Sequence, residues 1–308
     1  MRIGFALPLH GDAARPGALI TIARRAEALG YHSLWVWERL LAPVQPKAPY
    51  PIGDGTHPQI FKSVLDPLET LTFVAGHTSR VTLGTSVLIL PWYNPVLLGR
   101  RLSTLDVLSK GRLRAGFGVG WLPDEFAAVG VPWAERGKRA DEALQALKAI
   151  WTTDPVEFQG RYYRIPRSFI GPKPIQKPHP PIYMGAFTPA AMARIAREAN
   201  GWSPVGLPLA AIPEMFGTIK AMARDAGRDP DALEMVMRAN VKFAERPLGA
   251  DRSEYQGTLE QIAEDVVRTR KVGATEIFFD LWPAHPQVNT LDEWLARMEQ
   301  LWKVAMAA

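Results

Sequence analysis

The chain contains no cysteine among its 308 residues. That absence removes disulfide scaffolds, thiolate metal sites, iron–sulfur clusters and cysteine nucleophiles together. Redox chemistry in such a protein has to come from a bound organic cofactor rather than from thiols. Long apolar runs are missing too: no stretch reaches about 18 apolar residues without a charge, the length a membrane-spanning helix needs. No membrane partner is therefore expected. The sequence also lacks Gly-x-Gly-x-x-Gly, a Walker-type phosphate loop, His-Glu-x-x-His and Gly-x-Ser-x-Gly. Its histidines, His10, His32, His57, His77, His179 and His285, never fall at metal-ligand spacing within one element. No metal is expected. The opening MRIGFALPL has neither the longer apolar core nor the small-residue cleavage site of a signal peptide. It reads as a first strand, and the cytoplasm is the default location.

Charge is weakly informative. Lys and Arg number 36 against 31 Asp and Glu, for a net charge of +5, and they are spread along the chain. The densest pairs, Arg24-Arg25 and Arg100-Arg101, fall in apparent helices and read as solvated faces. Nucleic-acid binding needs a clustered basic patch or an aromatic–basic motif, and neither is present. The small excess suits an anionic small molecule without identifying one.

What is present is an alternation of strand and helix. Strands are expected at Arg2–Leu7, Ser33–Trp37, Val81–Leu90, Arg112–Phe117, Ile182–Met184, Gly201–Ser203, Glu234–Phe243 and Glu276–Asp280. Helices are expected at Ala18–Leu29, Pro67–Thr78, Val96–Leu108, Glu135–Trp151, Pro189–Ala199, Ala211–Ala226, Leu259–Val272 and Leu291–Val304. Most of the strands are short and apolar on both faces, the mark of a parallel sheet covered by helices. Eight strand–helix units predict an α/β fold of the (β/α)8 TIM-barrel kind over residues 1–308. The rival is a doubly wound sheet with a second domain beginning in the proline-rich stretch 153–181. No flexible Gly/Ser linker marks that boundary, so one barrel is favoured, with insertions at 38–66 and 153–181. In such barrels chemistry sits where strands end and the following loops begin.

Three stretches invite functional readings. Gly84, Thr85 and Ser86 put small residues inside an apolar strand that runs to Pro91. They suit a bulge or the close approach of a flat ligand, and equally a tightly packed barrel layer. Gly116, Gly118 and Gly120 alternate at the end of the next strand. They would bare backbone N–H groups to a ligand or simply permit a sharp turn. Gly185, Ala186 and Phe187 lead into Thr188, a plausible N-cap, with Pro189 at the first helical position. A helix start of this kind suits a phosphate, although every helix needs a cap.

These stretches, together with Gly30-Tyr31-His32-Ser33-Leu34-Trp35-Val36-Trp37-Glu38, resemble the luciferase-like monooxygenase superfamily, and most closely its coenzyme F420-dependent oxidoreductase branch. The resemblance runs over nearly the whole chain and includes residues 135–142, 171–176 and 200–202. No single motif is diagnostic; their order and spacing are. The resemblance implies a TIM barrel binding F420 or FMN across its C-terminal mouth. It implies a cis peptide at Ser86–Val87 backing the ring, with Gly118, Val119 and Gly120 along the cofactor tail. It implies that Gly185, Ala186, Phe187 and Thr188 receive the phosphate, and that Arg139 contacts it as in some relatives. The alternative for Arg139 is a surface helix residue near Glu135 and Glu142.

One departure stands out. The family commonly ends its second strand with an acidic residue followed by His, whereas this chain has Glu38-Arg39. Glu38 can serve as acid or base if its pocket raises its pKa. Arg39 stays protonated and can only stabilise negative charge. FMN enzymes of the family often carry an extra Arg after the fourth strand; Gly118-Val119-Gly120 has none, which favours F420. The FMN alternative is an O2-using monooxygenase with a partner reductase as electron source. A non-catalytic cofactor-binding protein is the alternative of another class. Trp37, Trp92, Tyr93, Trp121 and Phe187 at strand ends suit an apolar or aromatic small-molecule substrate, or else cofactor walls or core. A homodimer is what the resemblance implies about assembly.

Overall fold

The structure is a computed structural model that describes residues 1–281 and 290–308. Eight parallel strands form the barrel: Arg2–Ala6, Ser33–Val36, Thr82–Thr85, Leu113–Gly118, Ile182–Met184, Gly201–Trp202, Glu234–Asn240 and Glu276–Asp280. Neighbours in sequence pair side by side. The ring closes because the first strand pairs with the eighth, Phe5 opposite Phe279. Every strand therefore has two partners and no edge is left open.

The barrel interior explains several residue choices. Trp35 stacks on Phe278 at 4.9 Å between ring centroids and meets Tyr183 edge-on at 6.2 Å. With Ala6 and Val236 these form a separate interior core. Gly84 exists for Trp35: a Cβ there would lie 2.3 Å from the indole ring. The small residue inside the third strand is thus a packing requirement at position 84. The N-terminal end of the barrel is closed by charge. Arg114 pairs with Glu234 at 2.9 Å and with Glu276, while Glu276 also accepts from Ser33 Oγ at 2.6 Å and Trp35 Nε1 at 3.0 Å. Burying these charges is tolerable because each has a partner.

Around the barrel, α1 (Pro16–Leu29), α2 (Pro67–Ala75) and α3 (Pro95–Leu108) follow the first three strands. Next come α4 (Pro123–Ala128), α5 (Arg136–Thr152), α6 (Pro189–Glu198), α7 (Ile212–Asp225), α8 (Leu259–Lys271) and α9 (Leu291–Ala307). The caps follow the sequence chemistry. Asp66, Asn94 and Thr188 each accept a backbone N–H ahead of a proline at the first turn.

Four details depart from the sequence expectations. The run from 81 to 90 is not one strand: it stops at Thr85, passes a cis Ser86–Val87 peptide, and resumes as Leu88–Ile89 beside Phe117 and Gly118. Helix α4 lies between the fourth strand and the helix expected from Glu135, where the sequence leads to no expected element. The insertion at 153–181 contains an antiparallel hairpin, Val156–Gln159 with Arg164–Ser168. The seventh strand ends at Asn240, and Lys242–Phe243 pairs instead with Gln256–Gly257. Among the described residues no helix is long and apolar enough to cross a membrane.

Candidate active site

The C-terminal mouth is organised around the Ser86–Val87 segment. Ser86 N–H donates to Val36 O at 2.7 Å, and Ser86 O accepts from Arg238 Nη1 at 2.8 Å. Arg238 pairs in turn with Asp280, Nη2 to Oδ2 at 2.6 Å. The third, seventh and eighth strands are thereby joined across the mouth by one guanidinium.

The alternating glycines of the fourth strand fit against this segment. A Cβ on Gly116 would fall 1.8 Å from Thr85 O, and one on Gly118 would fall 2.6 Å from the Val87 side chain. Gly120, at φ 76°, would strike Phe126 and Ile89 at 2.7 and 2.8 Å. Close packing on residues 85–89 is therefore the reason for Gly116 and Gly118, while Gly120 serves both packing and the turn. Val119 is half-buried between the two.

Glu38 lies next to the same segment. It is 8% exposed, and its Oε2 accepts from Ile89 N–H at 2.6 Å while its Oε1 accepts from the Tyr93 hydroxyl. Burial pushes this carboxyl up, the two donors pull it back, and the charges of Asp66 and Glu125 add to the upward push. The outcome is a pKa of about 7. Burial first, and then the Glu38 charge, push Tyr93 well above the ordinary phenol value. A neutral hydroxyl thus faces a carboxyl that titrates near neutrality.

Arg39 turns away from that pair into its own setting. Its guanidinium is 5.3 Å from the Phe61 ring centroid and 5.0 Å from that of Trp121. Nε lies 3.3 Å from Glu125 Oε1, and the Glu125 side chain is fully buried. Glu125 also accepts Leu40 N–H at 2.9 Å. Tyr50 packs edge-on against Phe61 and Trp121 at 5.7 and 5.5 Å. Arg39 therefore anchors the inserted loop 38–66 to α4.

The start of α6 is the open part of the mouth. Gly185 N–H donates to Phe117 O at 3.3 Å, which places this turn beside Gly118. Ala186 is buried, whereas Phe187 is 57% exposed. Thr188 is exposed, and its hydroxyl accepts from Ala191 N–H at 3.3 Å, so it acts as the cap. A Cβ on Gly185 would meet only Ser203 O, at 3.8 Å, so space remains there. Ser203 Oγ is buried with no hydrogen-bond partner among the described residues. Space, a helix start and an orphaned hydroxyl together fit an anionic tail. Arg139 is bound elsewhere, to Glu135 at 2.9 Å and over the Tyr162 ring at 4.7 Å. Arg194 ties α6 to α5 through Asp141 at 2.8 Å and the Gly137 carbonyl at 3.0 Å.

Glu38, Ser86, Val87, Gly118 and Gly120 are thus brought together, and Gly185 adjoins them. Arg238, Asp280 and Glu125 escaped the sequence reading. A signal for the first two existed: both are ionisable residues near the C-terminal ends of barrel strands, where chemistry concentrates. Glu125 had none, because no element is expected over its short helix. Among the described residues no group of three or more His, Asp or Glu converges to hold a metal.

Comparison with known proteins adds a second line. Residues 1–253 match the model of the luciferase-like monooxygenases. The chain is 31% identical over 262 residues to an uncharacterized protein of Mycobacterium tuberculosis, covering 84% of this chain and 85% of that one. An FMNH2-dependent dimethylsulfone monooxygenase of Pseudomonas putida is 34% identical over 153 residues, 49% of this chain and 42% of that one. An F420-dependent glucose-6-phosphate dehydrogenase of Amycolatopsis mediterranei is 32% identical over 191 residues, 61% of this chain and 53% of that one. Among solved structures, the monooxygenase RslO1 of Streptomyces bottropensis superposes with a TM-score of 0.81 at 22% identity, over 100% of this chain and 99% of that one.

Proposed function

The chain belongs to the luciferase-like monooxygenase family, whose members include F420- and FMN-dependent enzymes, and we propose that this protein is an F420-dependent oxidoreductase acting on a small, largely apolar organic molecule. The observation that carries the reading is the Glu38 carboxyl, buried at the mouth and titrating at about pH 7. Hydride exchange with an organic substrate also moves a proton, and a group poised between its two forms at neutral pH is suited to that task.

When bound, the deazaflavin ring supplies hydride donation and acceptance. The chain supplies placement, exclusion of water and the proton. Ser86 and Val87 would back the ring, with Arg238 fixing the Ser86 carbonyl. Gly118, Val119 and Gly120 would lie along the tail, and no cation stands among them. Gly185, Ala186, Phe187 and Thr188 would receive the phosphate at the start of α6, with Ser203 Oγ as an added donor. Arg139 would have to leave Glu135 to take part. Trp37, Trp92 and Trp121 would give the pocket its apolar walls.

The identity to an FMNH2-dependent monooxygenase supports a second reading, in which the same mouth holds FMN and uses O2 with reduced flavin from a partner reductase. Fluorescence titration of the purified protein with both cofactors separates the two. Tight F420 binding with weak FMN binding is expected. Tight FMN binding without F420 binding reverses the assignment.

A further inference from the structure

The end of the barrel opposite the mouth, where the strands begin, holds a cavity of about 460 Å³. Lys148 from α5, Lys177 from the insertion 153–181 and Arg228 beyond α7 line it. Among the described residues they face a single carboxylate in its wall, Glu198 at the end of α6, so two positive charges are left over. Lys148 holds Glu198 at 2.8 Å. Arg228 donates to the Ala196 and Ala199 carbonyls at 2.7 and 2.6 Å. Its charge thereby offsets the partial negative charge at the end of α6. Lys177 is exposed and donates to the Pro174 carbonyl at 3.1 Å, with two further protons to give.

His179 completes the wall. Its Nδ1 lies 2.8 Å from the Pro180 carbonyl, which can only accept, so Nδ1 carries the proton. The ring leans on Trp151 at 5.7 Å, and Nε2 is left for a ligand. Burial lowers the His179 pKa, the Pro180 carbonyl pulls it back, and the Lys148 charge lowers it again. Through Gln176, Pro181 and Asn200 the cavity adjoins a second one of about 360 Å³. There the charges are spent within the chain. Arg2 and Arg114 both hold Glu234, and Arg112 donates to the carbonyls of Ala75, Thr78, Val81 and Ser109. His32, Thr82 and Asn200 add polar groups with which hydroxyls can pair.

We propose that this face of the barrel binds the phosphate monoester of a small sugar or polyol. The phosphate sits among Lys148, Lys177, His179 and Arg228, and the hydroxylated body lies toward Arg2 and Glu234. A phosphate monoester carries about −1.5 to −2 charge at neutral pH, which matches the excess in the first cavity; a single carboxylate would leave it half compensated. The second cavity, polar and without spare charge, suits the neutral part of the same molecule. Both volumes fall in the roughly 300–1,000 Å³ range of small-molecule sites. The site lies at the opposite ends of the strands from Glu38 and Ser86, so it does not depend on which cofactor the mouth holds.

Calorimetric titration of the full chain with fructose 6-phosphate, inorganic phosphate and fructose tests the proposal. The ester is expected to bind more tightly than inorganic phosphate, and fructose to give no heat. Lys177→Gln should weaken ester binding about tenfold, the loss of one charged hydrogen bond. Lys177→Arg keeps the charge and should bind more tightly than Lys177→Gln. The His179 ring signal in nuclear magnetic resonance, assigned by its absence in His179→Gln, gives a local readout. Its titration midpoint should rise when the ester saturates the site, because a bound anion favours the imidazolium. Ester binding that Lys177→Gln does not weaken and that leaves the His179 midpoint unmoved belongs to the mouth and overturns the site. Inorganic phosphate binding as tightly as the ester overturns the assignment of the second cavity to the sugar or polyol. No heat from either phosphate overturns the whole proposal.

Discussion

Arg238 in the seventh strand donates from Nη1 to the carbonyl oxygen of Ser86 at 2.8 Å, while its Nη2 holds Asp280 in the eighth at 2.6 Å. Ser86 opens the segment that carries Val87, Leu88 and Ile89, and Ile89 N–H in turn reaches Glu38. The position of the buried carboxyl is thus coupled through short bonds to an ion pair on the opposite side of the mouth. The arrangement gives Arg238 a positioning role that no other cation near Ser86 takes over among the described residues.

Removing that guanidinium while keeping its bulk should be costly. Arg238→Met leaves Asp280 buried without the cation, and breaking a buried pair in this way costs about 3–5 kcal/mol. Adding Asp280→Asn should recover part of the loss, because the uncompensated charge goes with it. Urea unfolding of both single variants and the double variant measures the coupling. A loss under about 0.5 kcal/mol for Arg238→Met, the size of an ordinary surface change, rules the role out.

Glu38 makes a second prediction with a definite sign. Its folded pKa of about 7 lies above the ordinary carboxylate value of 4.5. The folded state then binds the proton more tightly than the unfolded state, so this group's contribution to stability falls as pH rises from about 4.5 to 7 and is level beyond. The expected fall is about 2–3 kcal/mol. Glu38→Gln abolishes it, so the variant should be less stable or equal at pH 4.5 and more stable than wild type at pH 8. Parallel urea titrations at the two pH values cancel the other carboxylates. A stability difference that does not change with pH refutes the shift.

The barrel was legible because strand and helix punctuation is local: apolar runs, Asp66-Pro67, Asn94-Pro95 and Thr188-Pro189 each announce an element boundary. The site was legible only in part, and for a physical reason. Gly84 and Ser86 sit two residues apart, yet one makes room for the Trp35 indole and the other carries the bond from Arg238. Sequence could offer both explanations for the small residues but could not assign them residue by residue. Arg238 and Ser86 meet only when the barrel closes, since they lie 152 positions apart in the chain. Helix α4 is six residues long, too short for an apolar period to show, so Glu125 and its hold on Arg39 stayed hidden.

The fourth-strand glycines predict a steric hierarchy. Gly116→Ala drives its Cβ against backbone, 1.8 Å from Thr85 O, and backbone yields less readily than a side chain. Gly118→Ala meets the Val87 side chain at 2.6 Å instead. Overpacking of this kind costs typically 1–3 kcal/mol and sometimes more. The expectation is about 3 kcal/mol or above for Gly116→Ala and a smaller loss for Gly118→Ala, read as shifts in the thermal midpoint. Equal stability of Gly116→Ala and wild type would contradict the contact.

Arg39 gives the last prediction, because its surroundings distinguish shape from charge. Its flat guanidinium lies within 5.3 Å of two aromatic centroids and 3.3 Å from a fully buried carboxylate. Arg39→Lys keeps the charge but loses the planar fit between the rings, for about 1–2 kcal/mol. Arg39→Leu also strips Glu125 of its cation, and that loss should approach about 3–5 kcal/mol when the carboxylate is ionised. Burial already pushes the Glu125 pKa up, and Arg39 holds it down. Without Arg39 the folded-state pKa rises further, so protonation relieves the Leu variant at low pH and ionisation penalises it at high pH. Thermal unfolding at pH 5 and pH 8 should therefore separate Arg39→Leu from wild type more widely at pH 8, with Arg39→Lys showing little such dependence. If both variants lose the same stability at both pH values, the aromatic sandwich alone explains Arg39, and its pairing with Glu125 contributes nothing measurable.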